Sequence, residues 1–347
     1  MRNGNRILRR VIPWVMLAVM VFATLGCRRS EPCYFSGRTM GTVYHITVIA
    51  EDAGAVSDLS YKITERLDSI NKSMSLFRGD SELSRFNHGE EDVKFCVSDP
   101  FMKVFRTGAN LYSLTGGAWD GTVAPLVSLW GFGPEPETPG LPAPRAIEKA
   151  LARVGYNRIR IVDDRCLVKE KKGLSLDFGS IAKGFAVDEI AELLMENNMT
   201  DYLVEIGGEV RAGGSNLGRV WKVGINTPRP DAPVDQLITA VELENRAIAT
   251  SGDYRNFRTR QDKTYAHEID PRTGWPVEND VASVSVMADT AMFADGLATA
   301  LMVMGETKGL ALVNSLDRVD CLFIVRDKGC GFKLLPSRNF KGMAQAP

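Results

Sequence analysis

The sequence predicts an α+β fold in which mainly antiparallel sheets pack against helices. Alternating polar and apolar segments, typical of half-buried strands, recur along most of the chain. Helical segments interrupt these strands without the regular βαβ order of a parallel sheet. The 347 residues are 44% hydrophobic and 24% charged, so the chain can bury a substantial core.

Individual elements follow from the spacing of apolar residues and from turn residues. Spacings of three or four, with caps or prolines at several starts, predict helices over residues 59–74, 99–115, 144–155, 180–196, 290–304 and 306–315. Alternation predicts strands over 42–50, 158–162, 166–169, 174–177, 202–206, 209–212, 220–225, 237–243, 246–250, 263–269, 281–287, 319–325 and 331–335. Five prolines within 133–144 indicate a surface loop.

The charge balance narrows the function classes. Lys and Arg number 42 and Asp and Glu 43, which gives a formal net charge of −1. A nucleic-acid-binding protein usually carries a strong positive excess, so this class is disfavoured. The hydrophobic content excludes a chain that is disordered throughout.

The N-terminus has the anatomy of a targeting segment. Four arginines lie within the first ten residues, and residues 11–26 carry no charge, a run that is short for a membrane span. The run ends at Leu25-Gly26-Cys27, which resembles the lipobox of bacterial lipoproteins. We therefore expect a signal peptide over 1–26, a lipidated Cys27 and a linker over 27–37. A plain signal peptide and an uncleaved anchor are the alternatives.

The other cysteines show no metal-binding spacing. Their number is odd, so at least one thiol stays unpaired within the chain. A disulfide is permitted outside the inner membrane, but we expect core thiols at these positions. They are Cys33, Cys96, Cys166, Cys321 and Cys330.

A lysine at a predicted helix start is the first candidate for chemistry. In residues 174–188 a strand runs through a glycine into a helix, with Asp177 and Ser180 at the capping positions. Lys183 falls in the first turn, where a cation opposes the helix dipole unless an anion binds there too. The alternative is a solvated surface lysine.

A carboxylate in an apolar helix is the second candidate. Residues 290–304 are almost wholly apolar, and Asp295 and Thr299, four residues apart, share a face. A buried carboxylate needs a partner or a metal, and carboxylate, hydroxyl and phosphate oxygens suit Mg²⁺. The alternative is local capping by Asp295 and back-bonding by Thr299.

A histidine before a rigid turn is the third candidate. The chain has three histidines, and His267 ends a predicted strand just before a Pro-Arg-Thr-Gly turn. An imidazole there could serve as a general base, although a lone strand histidine is often structural. Glycine-rich segments at 116–133, 205–209 and 250–254 would let a ligand approach the backbone, or could simply form hairpin turns. None matches a Rossmann or P-loop motif.

Taken together, these segments resemble the ApbE-like flavin transferases (FAD:protein FMN transferases). The matching stretches occur in the family's order and cover about residues 37–305. They are 39–42, 75–87, 117–126, 130–133, 176–188, 205–209, 249–254, 267–276 and 294–299.

The resemblance implies a Mg²⁺-dependent transfer of the FMN half of FAD to a Thr or Ser hydroxyl of another protein, with release of AMP. It makes His267 the base that deprotonates the acceptor. It makes Ser180, through its backbone oxygen, Asp295 and Thr299 the metal ligands. The implied FAD contacts are Met40, Phe77, Ala118, Trp119, Asp120, Asp177, Lys183 and Ile269.

The resemblance also implies one catalytic domain over 38–340 and a lipid-anchored place in the bacterial cell envelope, facing the periplasm or the exterior. The acceptor is then an exported or membrane redox protein, since the chain contains no obvious flavin-acceptor motif of its own. Two alternatives stay open. One is a Mg²⁺-dependent FAD pyrophosphatase, in which water replaces the acceptor, and the other is a non-catalytic flavin-binding lipoprotein.

Overall fold

The structure is a computed structural model that describes residues 30–51, 53–133, 140–233, 236–253, 257–260, 263–327 and 331–343. The expected signal peptide and Cys27 lie outside the described residues. The same holds for Cys330 and for residues 134–139 of the predicted proline-rich loop.

The described chain is an α+β fold, which confirms the predicted class. Its helices are α1 (Leu59–Met74), α2 (Glu82–His88), α3 (Asp99–Leu114), α4 (Ala124–Leu129), α5 (Pro144–Leu151), α6 (Ala182–Glu196) and α7 (Ala291–Val313). Its strands are β1 (Glu31–Thr39), β2 (Thr42–Ala50), β3 (Phe95–Cys96), β4 (Ile159–Asp163), β5 (Cys166–Lys169), β6 (Tyr202–Ile206), β7 (Glu209–Gly213), β8 (Trp221–Asn226), β9 (Leu237–Leu243), β10 (Ala247–Gly252), β11 (Phe257–Arg260), β12 (Lys263–Ala266), β13 (Val281–Ala288), β14 (Asp320–Asp327), β15 (Gly331–Pro336) and β16 (Gly342–Met343).

An eight-stranded sheet organises the molecule. Its order is β1-β2-β6-β7-β10-β13-β14-β15, and every neighbouring pair is antiparallel. Two three-stranded sheets, β16-β9-β8 and β3-β5-β4, and the hairpin β11-β12 complete the strands. Antiparallel pairing needs only short connections, which agrees with the absence of βαβ units in the sequence.

The eight-stranded sheet is buried on both faces. On β10, Ala249 points into the large core that also holds helix residues, whereas Ile248 points into a second core with β8 and β9. On β14, Phe323 and Ile324 divide between the same two cores. Because side chains alternate along a strand, these strands carry apolar residues at successive positions. The result is three layers: helices, central sheet and small sheet.

Helix α7 is the central helix of this arrangement. It packs on β13, β10 and α6. Among the described residues it is the one helix long and apolar enough to cross a membrane, but most of it is buried in the core. Gly305, with φ 74°, interrupts the helical backbone, which confirms the two helices predicted at 290–304 and 306–315; the second ends at Val313.

The expected linker over 27–37 is wrong from Glu31 onward, because β1 begins there and pairs along its whole length with β2. Met40 and Gly41 form the tight turn between these strands, with φ of 49° and 75°. Pro32 is tolerated because β1 is an edge strand. The segment is polar and contains a proline, so its own sequence does not predict a strand. It is a strand because it pairs with β2.

Smaller differences concern ends and caps. Residues 174–177, expected as a strand, belong to no sheet, and Ser98 rather than Asp99 caps α3 by accepting from the Phe101 amide. Helix α6 begins after Ile181, so Ser180 does not cap it. The helices α2 and α4 and the strands β1, β3, β11 and β16 were not predicted. Strand β16 extends the fold just past the expected end at 340.

The expectation of core thiols is wrong for one pair. Cys96 on β3 and Cys166 on β5 lie directly opposite each other and form a disulfide across a sequence separation of 70 residues. Strand β3 has only two residues, so its pairing could not be read from periodicity. Cys321 is a buried free thiol as expected, and burial raises its pKa to about 12.

Replacement of Cys96 and Cys166 together by serine should lower the free energy of unfolding by about 2–4 kcal/mol, because the disulfide restricts the unfolded chain. Chemical denaturation with and without a reductant measures the effect. Reductant should destabilise the wild type and a Cys33→Ser control equally, and leave the double variant unchanged. Equal stability of wild type and double variant in oxidising buffer would contradict the assignment.

Candidate active site

A cavity of about 660 Å³ opens between α6, α7, the loop after α3 and the segment after β12. All three glycine-rich segments singled out in the sequence contribute to its wall. So do ten of the predicted site residues: Ala118, Trp119, Asp120, Asp177, Ser180, Lys183, His267, Ile269, Asp295 and Thr299.

The close crossing of α6 and α7 forms the floor of the cavity. A Cβ at Gly184 would lie 2.3 Å from the Ala291 carbonyl oxygen, so only glycine permits this approach. The Gly184 amide donates to Asp295 Oδ2 at 3.0 Å. Among the described residues, no helical bond runs from this amide to the carbonyl four residues earlier, at Ser180. Within the described part of the chain, the Ser180 carbonyl oxygen therefore accepts no backbone hydrogen bond, and Ser180 and Asp295 line the same cavity.

The start of α7 is held by a buried carboxylate on α6. Asp188 accepts hydrogen bonds from the amides of Ala291 and Met292, each at 2.9 Å, and pairs with Arg211 at 2.9 Å. Burial raises the pKa of Asp188, although Arg211 and the two amides oppose the shift. An acidic group at a helix N-terminus satisfies amides that the helix itself leaves free. Asp188 thus places the helix that carries Asp295.

Asp295 and Thr299 lie one helical turn apart on the cavity wall, as predicted. Asp295 is 3% exposed, and the Thr299 hydroxyl lies 3.2 Å from the Ser251 hydroxyl. No group of three or more His, Cys, Asp or Glu side chains that could hold a metal occurs within the described part of the chain. A cation here would therefore combine one carboxylate with neutral oxygens and with ligand phosphate, a donor set that fits Mg²⁺.

Lys183 lies between two buried carboxylates. Its Nζ is 2.5 Å from Glu209 Oε1 and 3.8 Å from Asp295 Oδ1. Burial opposes the charged form of the lysine, but Asp295 and Glu209 outweigh it and raise the pKa of Lys183. Burial and the Asp295 charge raise the pKa of Glu209, which Lys183 counteracts. Lys183 therefore stays charged beside the cavity, and the solvated-surface alternative is wrong.

Another part of the wall is formed by the loop after α3. The Trp119 indole donates to Ser180 Oγ at 3.0 Å, which ties this loop to the start of α6. Asp120 accepts from the Thr122 amide at 2.7 Å and from the Tyr156 amide at 3.2 Å. These bonds keep both oxygens of Asp120 engaged within the protein, and they hold the loop against the cavity.

His267 stands at the cavity, with its side chain 36% exposed. Its Nε2 lies 3.3 Å from Oε1 of Glu268, a buried neighbour that also lines the cavity. The Phe132 ring faces the imidazole edge-on at 6.3 Å between ring centroids. A partly exposed imidazole beside a carboxylate can accept a proton from a bound ligand.

Two predicted contacts lie elsewhere. Met40 occupies the β1–β2 turn, and Phe77 is 86% exposed in the loop between α1 and α2. Neither lines the cavity. The sequence reasoning also missed three buried carboxylates around the site, Asp188, Glu209 and Glu268. The feature that could identify all three is an acidic residue within an otherwise buried segment, which indicates a buried carboxylate.

Comparisons with known proteins agree with this geometry. The sequence model of the ApbE family matches residues 40–323. An FAD:protein FMN transferase of Vibrio cholerae is 40% identical over 331 residues, covering 94% of this chain and 98% of the relative. One from Haemophilus influenzae is 37% identical over 353 residues, covering 97% and 99%.

Solved structures show the same fold. The flavin transferase ApbE from Vibrio cholerae aligns with a TM-score of 0.78 and 39% identity, covering 90% of this chain and 99% of its own. The apo flavinyl transferase ApbE of Pseudomonas stutzeri aligns with a TM-score of 0.80 and 35% identity, covering 89% and 95%.

Replacement of Asp188 by alanine should lower the free energy of unfolding by about 3–5 kcal/mol, because it leaves a mostly buried arginine without its partner and frees two helix amides. Urea denaturation measures the loss. Asp289→Ala is a matched control, since Asp289 also pairs with an arginine near α7 but is exposed. It should cost at most about 1 kcal/mol. Equal losses in the two variants would contradict the anchoring role.

Proposed function

This chain belongs to the ApbE family, and we infer that it is an FAD:protein FMN transferase, an enzyme that moves FMN from FAD to an acceptor protein. The observation that carries the inference is the convergence of Lys183, Asp295, Thr299 and His267 on one cavity. A cation, a hydroxyl–carboxylate pair and a base are the groups that such a transfer needs.

We propose that the enzyme requires Mg²⁺. The Asp295 carboxylate, the Thr299 hydroxyl and the Ser180 carbonyl would hold the ion, and FAD phosphate oxygens would complete its shell. Support comes from the Ser180 carbonyl, which accepts no backbone hydrogen bond from the residues that the structure describes, and from the placement of Asp295 and Thr299 on one face. When bound, the ion would neutralise charge on the pyrophosphate.

Groups of this chain would carry out the proton transfer and the charge stabilisation that the reaction needs. The acceptor hydroxyl oxygen forms a bond to the phosphorus of the FMN half. The bond from that phosphorus to the bridging oxygen breaks, and AMP leaves with the oxygen. His267 accepts the hydroxyl proton, and Lys183 stabilises negative charge on the phosphate oxygens.

The remaining walls would bind FAD. Ala118, Trp119, Asp177 and Ile269 line the cavity and would contact the flavin or the adenosine part. Asp120 also lines it, but its carboxylate is engaged within the protein, so we propose that it contacts FAD through its backbone. Met40 and Phe77 lie outside the cavity wall, so contacts from them require a ligand that extends beyond it. Their assignment as FAD contacts stays a prediction.

The location and the acceptor are further proposals. A lipid on Cys27 would anchor the enzyme in the bacterial cell envelope, and the acceptor would be an exported or membrane redox protein with a target Thr or Ser. The supporting features are the arginine-rich start, the uncharged run and the Leu25-Gly26-Cys27 sequence.

Incubation with FAD, Mg²⁺ and a candidate acceptor tests the function. Covalent flavin on the acceptor, detected by in-gel fluorescence and mass spectrometry, supports the transferase, and the mass gain equals that of FMN less water. FMN and AMP in solution without labelled acceptor would point to the pyrophosphatase. Unchanged FAD with every acceptor tested would indicate a protein that binds flavin without catalysis. Either hydrolysis without acceptor labelling or unchanged FAD would contradict the proposal.

Replacement of Asp295 by asparagine should abolish transfer at low Mg²⁺, because the proposed ion loses its one charged protein ligand. Rate measurements over a Mg²⁺ titration, with melting curves to confirm folding, check this. Glu306→Gln, on the same helix but outside the cavity, should behave as wild type. A near wild-type rate at low Mg²⁺ would refute the metal assignment.

Replacement of His267 by alanine should slow transfer by about 10²–10⁴-fold, the usual contribution of a positioned general base. FAD binding, measured by flavin fluorescence, should persist because the phosphate-binding groups lie on α6 and α7. His88 bonds to the Ser84 carbonyl within α2, so His88→Ala serves as a control and should be nearly neutral. Normal transfer by His267→Ala, or a loss confined to FAD affinity, would make His267 structural.

A further inference from the structure

Glu209 is a buried carboxylate at the cavity that the proposed reaction does not use. It lies 3% exposed at the start of β7, and its Oε2 has no hydrogen-bond partner among the described residues. The Gly207–Gly208 turn, with φ of 62° and 102°, places Glu209 opposite Ile206 and beside α6. A buried, half-satisfied carboxylate is costly, so a role at the site is expected.

The contacts of Asp295 define what that role is. Its Oδ2 already accepts from the Gly184 amide at 3.0 Å, so Oδ1 is the more open of the two oxygens to a cation. The Lys183 ammonium lies 3.8 Å from that same oxygen. A lysine ammonium and a divalent cation compete for carboxylate lone pairs, and they repel each other when close.

Glu209 holds the Lys183 ammonium closer to itself than to Asp295. Its Oε1 lies 2.5 Å from Lys183 Nζ, a much closer contact than the one to Asp295. A lysine side chain is long and flexible, so without this contact it can close the remaining gap to Asp295. The resulting ion pair would occupy Oδ1, the oxygen of Asp295 that is most open to the cation.

We propose that Glu209 is a positioning residue that holds the Lys183 ammonium off Asp295 and so keeps the Asp295 carboxylate available to the divalent cation. This inference rests on the cation site of the proposed function. It assigns to Glu209 an effect on metal affinity that acts entirely through Lys183. A direct attraction between Glu209 and the ion would act with or without the lysine.

A double-mutant cycle with Mn²⁺ as the probe separates these two effects. Mn²⁺ binding to the purified protein without FAD is measured by electron paramagnetic resonance at fixed pH. Glu209→Gln should weaken binding by about tenfold or more, the scale of one lost charge-assisted contact. In a Lys183→Met background the same substitution should change the affinity less than about twofold, since the competing ammonium is gone.

Glu205→Gln is the matched control, because Glu205 lies on the same hairpin, pairs with His45 and does not line the cavity. Its other oxygen accepts from the Gly208 amide, a bond that the glutamine carbonyl can keep. It should leave Mn²⁺ affinity unchanged. Melting curves confirm that each variant folds. If Glu209→Gln does not fold, Glu209→Asp is measured in both backgrounds, since the shorter side chain withdraws from the lysine and should give the same pattern.

Two results would overturn this inference alone: wild-type Mn²⁺ affinity in Glu209→Gln, or an equal loss with and without Lys183. A wild type that binds no Mn²⁺ would instead refute the cation site and the inference together. The wild-type measurement therefore tests the proposed function, and the cycle tests the role of Glu209.

Discussion

The site depends on the contact between α6 and α7 at Gly184. The absence of a side chain there lets the two helices approach until the Gly184 amide bonds to Asp295. That single bond orients the carboxylate and removes the Ser180 carbonyl from the helical hydrogen-bond pattern. Any larger residue at 184 would separate the helices. It would displace both the Asp295 carboxylate and the Ser180 carbonyl oxygen.

Around this contact, the other groups are placed by charge. Asp188 holds the start of α7, and Glu209 and Asp295 share Lys183 at the start of α6. Buried charges of this kind are expensive unless each finds a partner. The cluster is therefore better explained by what it binds than by the stability that it contributes. The start of α6 lies at the cavity with Ser180 and Lys183, which favours an anionic ligand there.

Local patterns in the sequence predicted the parts of the site that depend on one element. Asp295 and Thr299 share a face because of helix periodicity, and Lys183 falls in the first turn because α6 begins at Ala182, close to the predicted start at 180. Glu209 and Asp188 act on partners that lie 26 and 103 residues away, so their roles depend on packing. The Cys96–Cys166 bond likewise depends on a two-residue strand. The sequence does not predict strand β1, because β1 is held in a strand conformation by its pairing with β2 rather than by its own residue pattern.

The hairpin of β1 and β2 also has a geometric consequence. Its turn lies at the cavity end of the sheet, where Thr42 contacts the Gly207 turn beside Lys183. The nine residues of β1, Glu31–Thr39, extend from that turn over about 30 Å. With a lipid on Cys27, four more residues would reach the membrane, at most about 14 Å further. The first strand would then act as a fixed spacer that sets how far from the bilayer an acceptor must present its hydroxyl.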